Sequence, residues 1–465
     1  MTSPKADIPE NIMGVAPIHR LLLSMSVPMV MSMLVQACYN VVDSIFVASL
    51  GENALTAVSL AFPVQMLMIA VAAGTGVGVN SLLSRSLGER NFARVNQTAA
   101  NGIFLACASS AVFVLFGFLF VGDFLASQTD NAEIVGYGRE YLSIVCIGSF
   151  GVYNQILFER LLSSTGKTFL SMLAQLSGAI TNLILDPIMI FGLFGFPRME
   201  TAGAALATVL GQMLAAAIAI RLNLSRNREI SFSLLRFRPD SDIIRRIYAV
   251  GIPSILMASI GSVMTYGMNL ILIPFTTTAA AVFGVYFKLQ SLLVMPIFGL
   301  NNGMVPIVAY NYGAGARERI VKTIRLSALY AEGVMIGGSL VFQLFPERLL
   351  DLFNATGEML AIGVPALRTI GVHYLFAGFC IVSISTFQAL GDGMASLLIS
   401  FIRQLVVLLP AAWLLSLTGS LDAIWWSFPL AEGATFAVST FLLRRVYRLK
   451  IAGLKPKRNS VVLKG

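Results

Sequence analysis

Residues 62–94 read FPVQMLMIAVAAGTGVGVNSLLSRSLGERNFAR, and residues 287–319 read FKLQSLLVMPIFGLNNGMVPIVAYNYGAGARER. Set against each other at a shift of 225 residues, they pair Phe62 with Phe287 and Gln65 with Gln290. Gly74, Gly78 and Gly88 meet Gly299, Gly303 and Gly313, and Arg94 meets Arg319. Outward from this stretch the same shift carries Arg20 onto Arg245, Pro28 onto Pro253 and Gly166 onto Gly391; near the end it becomes 220, placing Gln212 on Glu432. Glycine and leucine matches arise by chance in an apolar chain, but Pro, Arg and Gln matches at one fixed shift do not. The chain is an internal duplication.

The composition names the solvent. Residues of the set AVILMFWYC make up 57% of the 465 and DEKR only 12%, whereas a water-facing surface needs about a quarter charged. A helix crosses the hydrocarbon core in about 20 residues. Twelve apolar runs are long enough: 18–48, 54–84, 97–121, 134–158, 169–194, 201–222, 248–275, 279–309, 321–345, 360–388, 394–417 and 422–443. They are too long and too uniformly apolar for barrel strands. The fold expected is all-α and integral to the membrane, twelve transmembrane helices as two six-helix bundles. Six spans per half make the repeat parallel, related by an axis along the membrane normal.

Net charge is +9, yet the basic residues sit in short gaps between apolar runs, so they speak of membrane orientation and not of nucleic acid. With both termini inside, 26 of the 32 Lys and Arg fall on the cytoplasmic side, against Arg139, Arg198 and Arg348 outside. The division expected is a cytoplasmic N-terminal segment 1–20, a first lobe 21–222, a cytoplasmic linker 223–246, a second lobe 247–443 and a basic tail 444–465. Cys38, Cys107, Cys146 and Cys380 have neither CxxC spacing nor a His cluster, which excludes metal and disulfide readings. Residues 1–20 lack an apolar core, so no cleaved leader is expected. Gly166-Lys167-Thr168 looks like the end of a phosphate loop, but Leu161 stands where that loop needs glycine. No catalytic triad, Cys/His pair or HExxH set is present, so an enzyme is not expected.

An ionisable residue inside a span needs a reason. Asp43 and Asp186 lie about 12 and 13 Å in from the outer ends of spans 1 and 5, counting about 1.5 Å per residue. Thr208 is about as deep in span 6, and Asn182 lies one turn below Asp186. Two carboxylates, an amide and a hydroxyl at one depth suit a hard cation such as sodium, and paired carboxylates in low dielectric can also share a proton. The competing reading is a set of helix–helix hydrogen bonds. In the second half Lys288, Glu332, Arg368, Arg403 and Glu432 read as a buried, mutually neutralised charge network. His373 in span 10 reads as a packing residue before a proton carrier. Pro28, about ten residues into span 1 and below Asp43, is expected to bend that helix.

With these residues in view the chain resembles the multidrug and toxic compound extrusion (MATE) family, and within it the bacterial MepA-type branch. The strings that carry the resemblance are LSMSVPM around Pro28, SRSLGERN at 84–91, LDPIMIFG at 185–192, GAALAT at 203–208, VPIVAYNYGAG at 305–315 and AIWWSFPLAE at 423–432. The resemblance implies a V-shaped pair of lobes in the cell membrane and export of small organic cations coupled to sodium or proton flow. It implies no bound cofactor, and a monomer is expected. It also implies a first-lobe site of Tyr39, Asp43, Asn182, Asp186 and Thr208. The second-lobe carboxylate pair of some members is missing, because span 7 has no Asp or Glu and span 10 offers only Arg368 and His373. The alternatives are a flippase for lipid-linked precursors and, in a different class, a receptor or structural membrane protein.

Overall fold

The computed structural model describes residues 10–232 and 237–455, and its regular elements are all helical. Lys5, Arg236, Lys457, Arg458 and Lys464, which entered the orientation count, lie outside the described residues. Twelve segments follow in order: α1 (Ile18–Ala48), α2 (Glu52–Gly88), α3 (Phe92–Leu119), α4 (Ala132–Ile147 with Ser149–Ser164), α5 (Thr168–Phe191) and α6 (Glu200–Arg226) form one lobe. The other lobe is α7 (Ser241–Leu272), α8 (Thr277–Ala314), α9 (Arg317–Leu344), α10 (Gly357–Gly371 with Tyr374–Ala389), α11 (Gly393–Ser416) and α12 (Ser427–Val446). Among the described residues, nine of these are single helices apolar enough to cross a membrane, or eleven with the two bent pairs. The twelfth, α12, is made less apolar by Glu432, Arg444 and Arg445.

Two of the expected spans are broken. The halves of α4 meet at 45° around Gly148, and those of α10 at 53° around Val372 and His373. Gly148 and His373 are themselves 225 residues apart, so the break is part of the duplicated plan. At the second break His373 is buried, its Nδ1 lies 2.6 Å from the Ile370 carbonyl, and its ring centre lies 4.2 Å from that of Tyr374 with the planes tilted by 39°. That is the geometry of a residue that satisfies a helix end. The run expected at 422–443 is instead a short helix, Leu421–Trp425, followed by α12. A π-turn over Ile402–Leu408 interrupts α11 and carries Arg403.

The duplicated glycines form the seam between the lobes. Helix α1 packs on α8, and α2 packs on α7 and α8. A Cβ on Gly88 would lie 1.9 Å from the carbonyl oxygen of Tyr310, and one on Gly313 would lie 2.0 Å from that of Arg85. Those two contacts are related by the 225-residue repeat. Gly78 lies against Ile247, and Gly74 against Gly251 and Ile255. In the mirrored place Gly299 lies against Val30 and Gly303 against Ser26. Only a missing side chain permits backbones this close. Hydrogen bonds cross the same region, from Ser26 Oγ to the Leu300 carbonyl (3.3 Å), Ser81 Oγ to that of Gln388 (2.8 Å) and Arg160 Nη1 to Asn302 Oδ1 (2.8 Å). The seam thus occupies the halves of the helices nearest the linker, and the lobes form a V that opens away from it.

Between the lobes the chain folds back on the first. Ile230 is buried, Phe232 sits 6.1 Å from the Phe158 ring and Phe237 5.9 Å from that of Phe104. The Ser231 and Asp240 amides donate to Asn96 Oδ1 (2.8 Å) and Asn101 Oδ1 (2.9 Å). Backbone groups that leave a helix need partners, and side chains of α3 supply them.

Candidate ion and substrate site

Inside the first lobe five helices bring polar side chains to one place. Asn182 and Asp186, one turn apart on α5, are 3% and 0% exposed. The Asn182 amide donates to Asp186 Oδ1 (3.2 Å) and to Thr208 Oγ1 of α6 (3.2 Å). Asp43 of α1 lies beside Asp186, and Tyr39, one turn earlier on α1, lies beside Thr208. All five residues assigned to this site in the sequence therefore meet. Pro28 lies in an unbroken α1, which runs from Ile18 to Ala48. The ring lacks a donor for the Ser24 carbonyl that Pro28 would otherwise serve, and the bend expected there is not a helix break.

Three oxygens define what the site wants. Asp43 Oδ1, Asn182 Oδ1 and Asp186 Oδ2 are buried with no hydrogen-bond partner among the described residues. All three are acceptors. A buried acceptor left unpaired costs about 1–3 kcal/mol, so the cluster is complementary to a positive charge or a proton. Oxygen donors of this kind fit sodium, and a carboxyl pair fits a shared proton equally well.

Two neighbours escaped the sequence reading. Tyr141 of α4 is buried beside Asp43 and Tyr39, and Gln65 of α2 donates 3.0 Å to its hydroxyl. Gln65 was visible only as a repeat match. Further along α1 a polar row leads toward Asp43: Gln175 Nε2 donates to Gln36 Oε1 (3.4 Å), and Gln36 Nε2 to Asn40 Oδ1 (3.2 Å). Neutral polar groups in a span cost less than charges, so they give a weaker sequence signal.

The second lobe departs from the expected network. Glu432 is 3% exposed and pairs with Arg403 Nη1 at 3.9 Å. Glu332 takes the Phe379 amide at 3.1 Å, and its other oxygen is buried and unpartnered among the described residues. Lys288 and Arg368, in contrast, are exposed, and Lys288 Nζ lies 5.8 Å from the centre of the Phe353 ring. The network is one pair with a nearby carboxyl, and Lys288 and Arg368 stand apart from it. Their depth was readable in the sequence, but the face each turns outward was not.

Two repeated helical lobes, a backbone seam at one end and a buried carboxylate pair inside one lobe are the plan of a membrane transporter. The chain belongs to the MatE family, which matches residues 28–188 and 253–414, two blocks whose starts are 225 apart. Among its relatives, the multidrug export protein MepA of Staphylococcus haemolyticus is 26% identical over 93% of this chain and 94% of its own. An FAD transporter of Shewanella oneidensis is also 26% identical, over 93% and 95%. A solved structure described as the outward-facing conformation of a multidrug resistance MATE family transporter superposes with a TM-score of 0.87 at 26% identity, covering 94% of this chain and 98% of that one. The chain is a multi-pass membrane transporter and not an enzyme.

Proposed function

We propose that this transporter exports small organic cations by alternating access, driven by inward flow of sodium or protons through the first-lobe site. The observation that carries the reading is the cluster of three unpartnered buried oxygens from Asp43, Asn182 and Asp186. An ion gradient drives export only when ion and drug bias the same conformational equilibrium. Asp43 is suited to that task because it rides on α1, the helix that also forms the seam with the second lobe. Multidrug export by the MepA relatives supports the substrate class. The same reading places both termini and the linker 223–246 in the cytoplasm, between a first lobe 21–222 and a second lobe 247–443.

The test is efflux of a fluorescent organic cation from proteoliposomes under separately imposed sodium and proton gradients. Export with one gradient and not the other names the ion. Equal export with neither gradient rejects coupling.

A further inference from the structure

The flank that the linker fills in the first lobe is an open groove in the second. Asn96, Gln97, Ala100 and Asn101 of α3 wall the linker's groove. The residues 225 further on, Val321, Lys322, Arg325 and Leu326 of α9, line a cavity of about 1170 Å³. It lies along α9, with walls from α10 and α12. From Arg317 to Glu332 its α9 wall runs about 22 Å, comparable with one leaflet of a bilayer. Among the described residues the segment after α12 touches it at the mouth, where Arg317 donates to the Tyr447 hydroxyl and to the Ala452 carbonyl (3.4 Å), and leaves Lys322 and Arg325 uncovered.

The chemistry of the walls has changed with the covering. Phe92, Gln97 and Ala100 on α3 are neutral; their counterparts on α9 are Arg317, Lys322 and Arg325. All three cations are exposed, and among the described residues Lys322 and Arg325 make no salt bridge. Glu318 stands beside them at the mouth. Deeper, the walls are Leu329, Phe376 and Phe436. A basic mouth over an apolar shaft, open along the side of a membrane protein, matches an amphiphile with an anionic head. Glu332 at the far end would suit a cation, but one arriving through the mouth meets three positive side chains first.

We propose that this groove binds an anionic phospholipid from the leaflet at the linker end, with its headgroup on Arg317, Lys322 and Arg325 and its acyl chains against Phe376 and Phe436. The lipid would cover in the second lobe what the linker covers in the first.

Native mass spectrometry of the full-length protein with added phosphatidylglycerol or phosphatidylcholine tests this. The wild type should bind phosphatidylglycerol at the lower concentration. Lys322→Gln with Arg325→Ala installs the residues that the first lobe carries at these places. That pair should weaken phosphatidylglycerol binding by about fivefold per cation removed while leaving phosphatidylcholine binding, and so the fold, unchanged. Arg221→Gln with Arg226→Ala removes two exposed cations of the same end outside the groove and should change neither. Retained phosphatidylglycerol preference in the groove pair, or equal loss in both pairs, overturns the proposal. So does binding of tetraphenylphosphonium that displaces the lipid and is lost in Glu332→Gln, which would give the groove to a cation.

Discussion

Asp186 stands one helical turn beyond Asn182 and takes a 3.2 Å hydrogen bond from its amide, which donates at the same distance to Thr208. The amide thereby spends its donors on α5 and α6 and leaves its oxygen buried with no partner among the described residues. A group that holds its neighbours by donation and presents an acceptor is arranged for an incoming cation.

Asp43→Asn keeps the size of the side chain and removes its charge and its proton. It should insert normally and lose gradient-driven efflux, and Asp186→Asn should do the same. Because both would serve one site, the double substitution should cost little beyond either single one. Efflux at the wild-type rate in Asp43→Asn, measured beside Glu432→Gln under one gradient, would move the ion out of the first lobe.

At the seam, Gly88→Ala and Gly313→Ala each push a methyl group into a carbonyl of the other lobe. Each should lower stability by about 1–3 kcal/mol, read as an earlier thermal transition of the purified protein. Gly284→Ala and Gly333→Ala, where a Cβ meets nothing within 4 Å, should be neutral or slightly stabilising. A seam variant that melts with these controls would show that the lobes separate freely.

Removing Arg403 leaves Glu432 buried without its cation. Arg403→Met should destabilise by about 1–3 kcal/mol, less than the ~3–5 kcal/mol of a fully buried pair, since the Arg403 side chain is 27% exposed. Adding Glu432→Gln should recover most of the loss. A double variant as unstable as Arg403→Met alone would assign the effect to packing of the π-turn.

Arg90 and Gly315 are repeat partners, and both adopt left-handed backbone, with φ of 55° and 74°. Glycine holds that conformation without strain and arginine does not. Arg90→Gly should therefore stabilise by up to about 1 kcal/mol, because the exposed ion pair it gives up with Glu10 contributes little. A lower melting temperature would show that pair to matter more than the backbone.

Cysteine labelling checks the orientation. With Cys38 and Cys107 replaced, a cysteine at the exposed position Arg228 should react with an impermeant maleimide in inverted vesicles and not in intact cells. The opposite pattern would reverse the whole molecule.

The repeat and the span count were readable because each span must be apolar over about 20 residues and because Pro28, Gln65 and Arg94 recur with fixed spacing. Asp43, Asn182, Asp186 and Thr208 were readable by depth alone, since few charges are found so far inside. Depth does not give direction around a helix, and Lys288 and Arg368 were grouped with Glu432 for that reason. The breaks in α4 and α10 had no proline to announce them; Pro365 lies in an unbroken stretch while His373 marks the bend. Tyr141 entered the site through tertiary packing that neither hydropathy nor spacing encodes.

A seam made of backbone on backbone is a fulcrum. Soft side chains between two bodies let them slide, whereas carbonyls resting in glycine notches keep the point of contact fixed and leave rotation as the easy motion. From Val30, at the notch of Gly299, to Asp43 is about 20 Å along α1. A turn of about 10° on that lever arm would carry the carboxylate about 3.5 Å, by the same helix geometry, which is the difference between touching Asp186 and leaving it. Under the proposed mechanism α1, held to the second lobe at that notch, would be the part of the first lobe that lags when the rest of it turns, so that a small rotation would make or break the ion site.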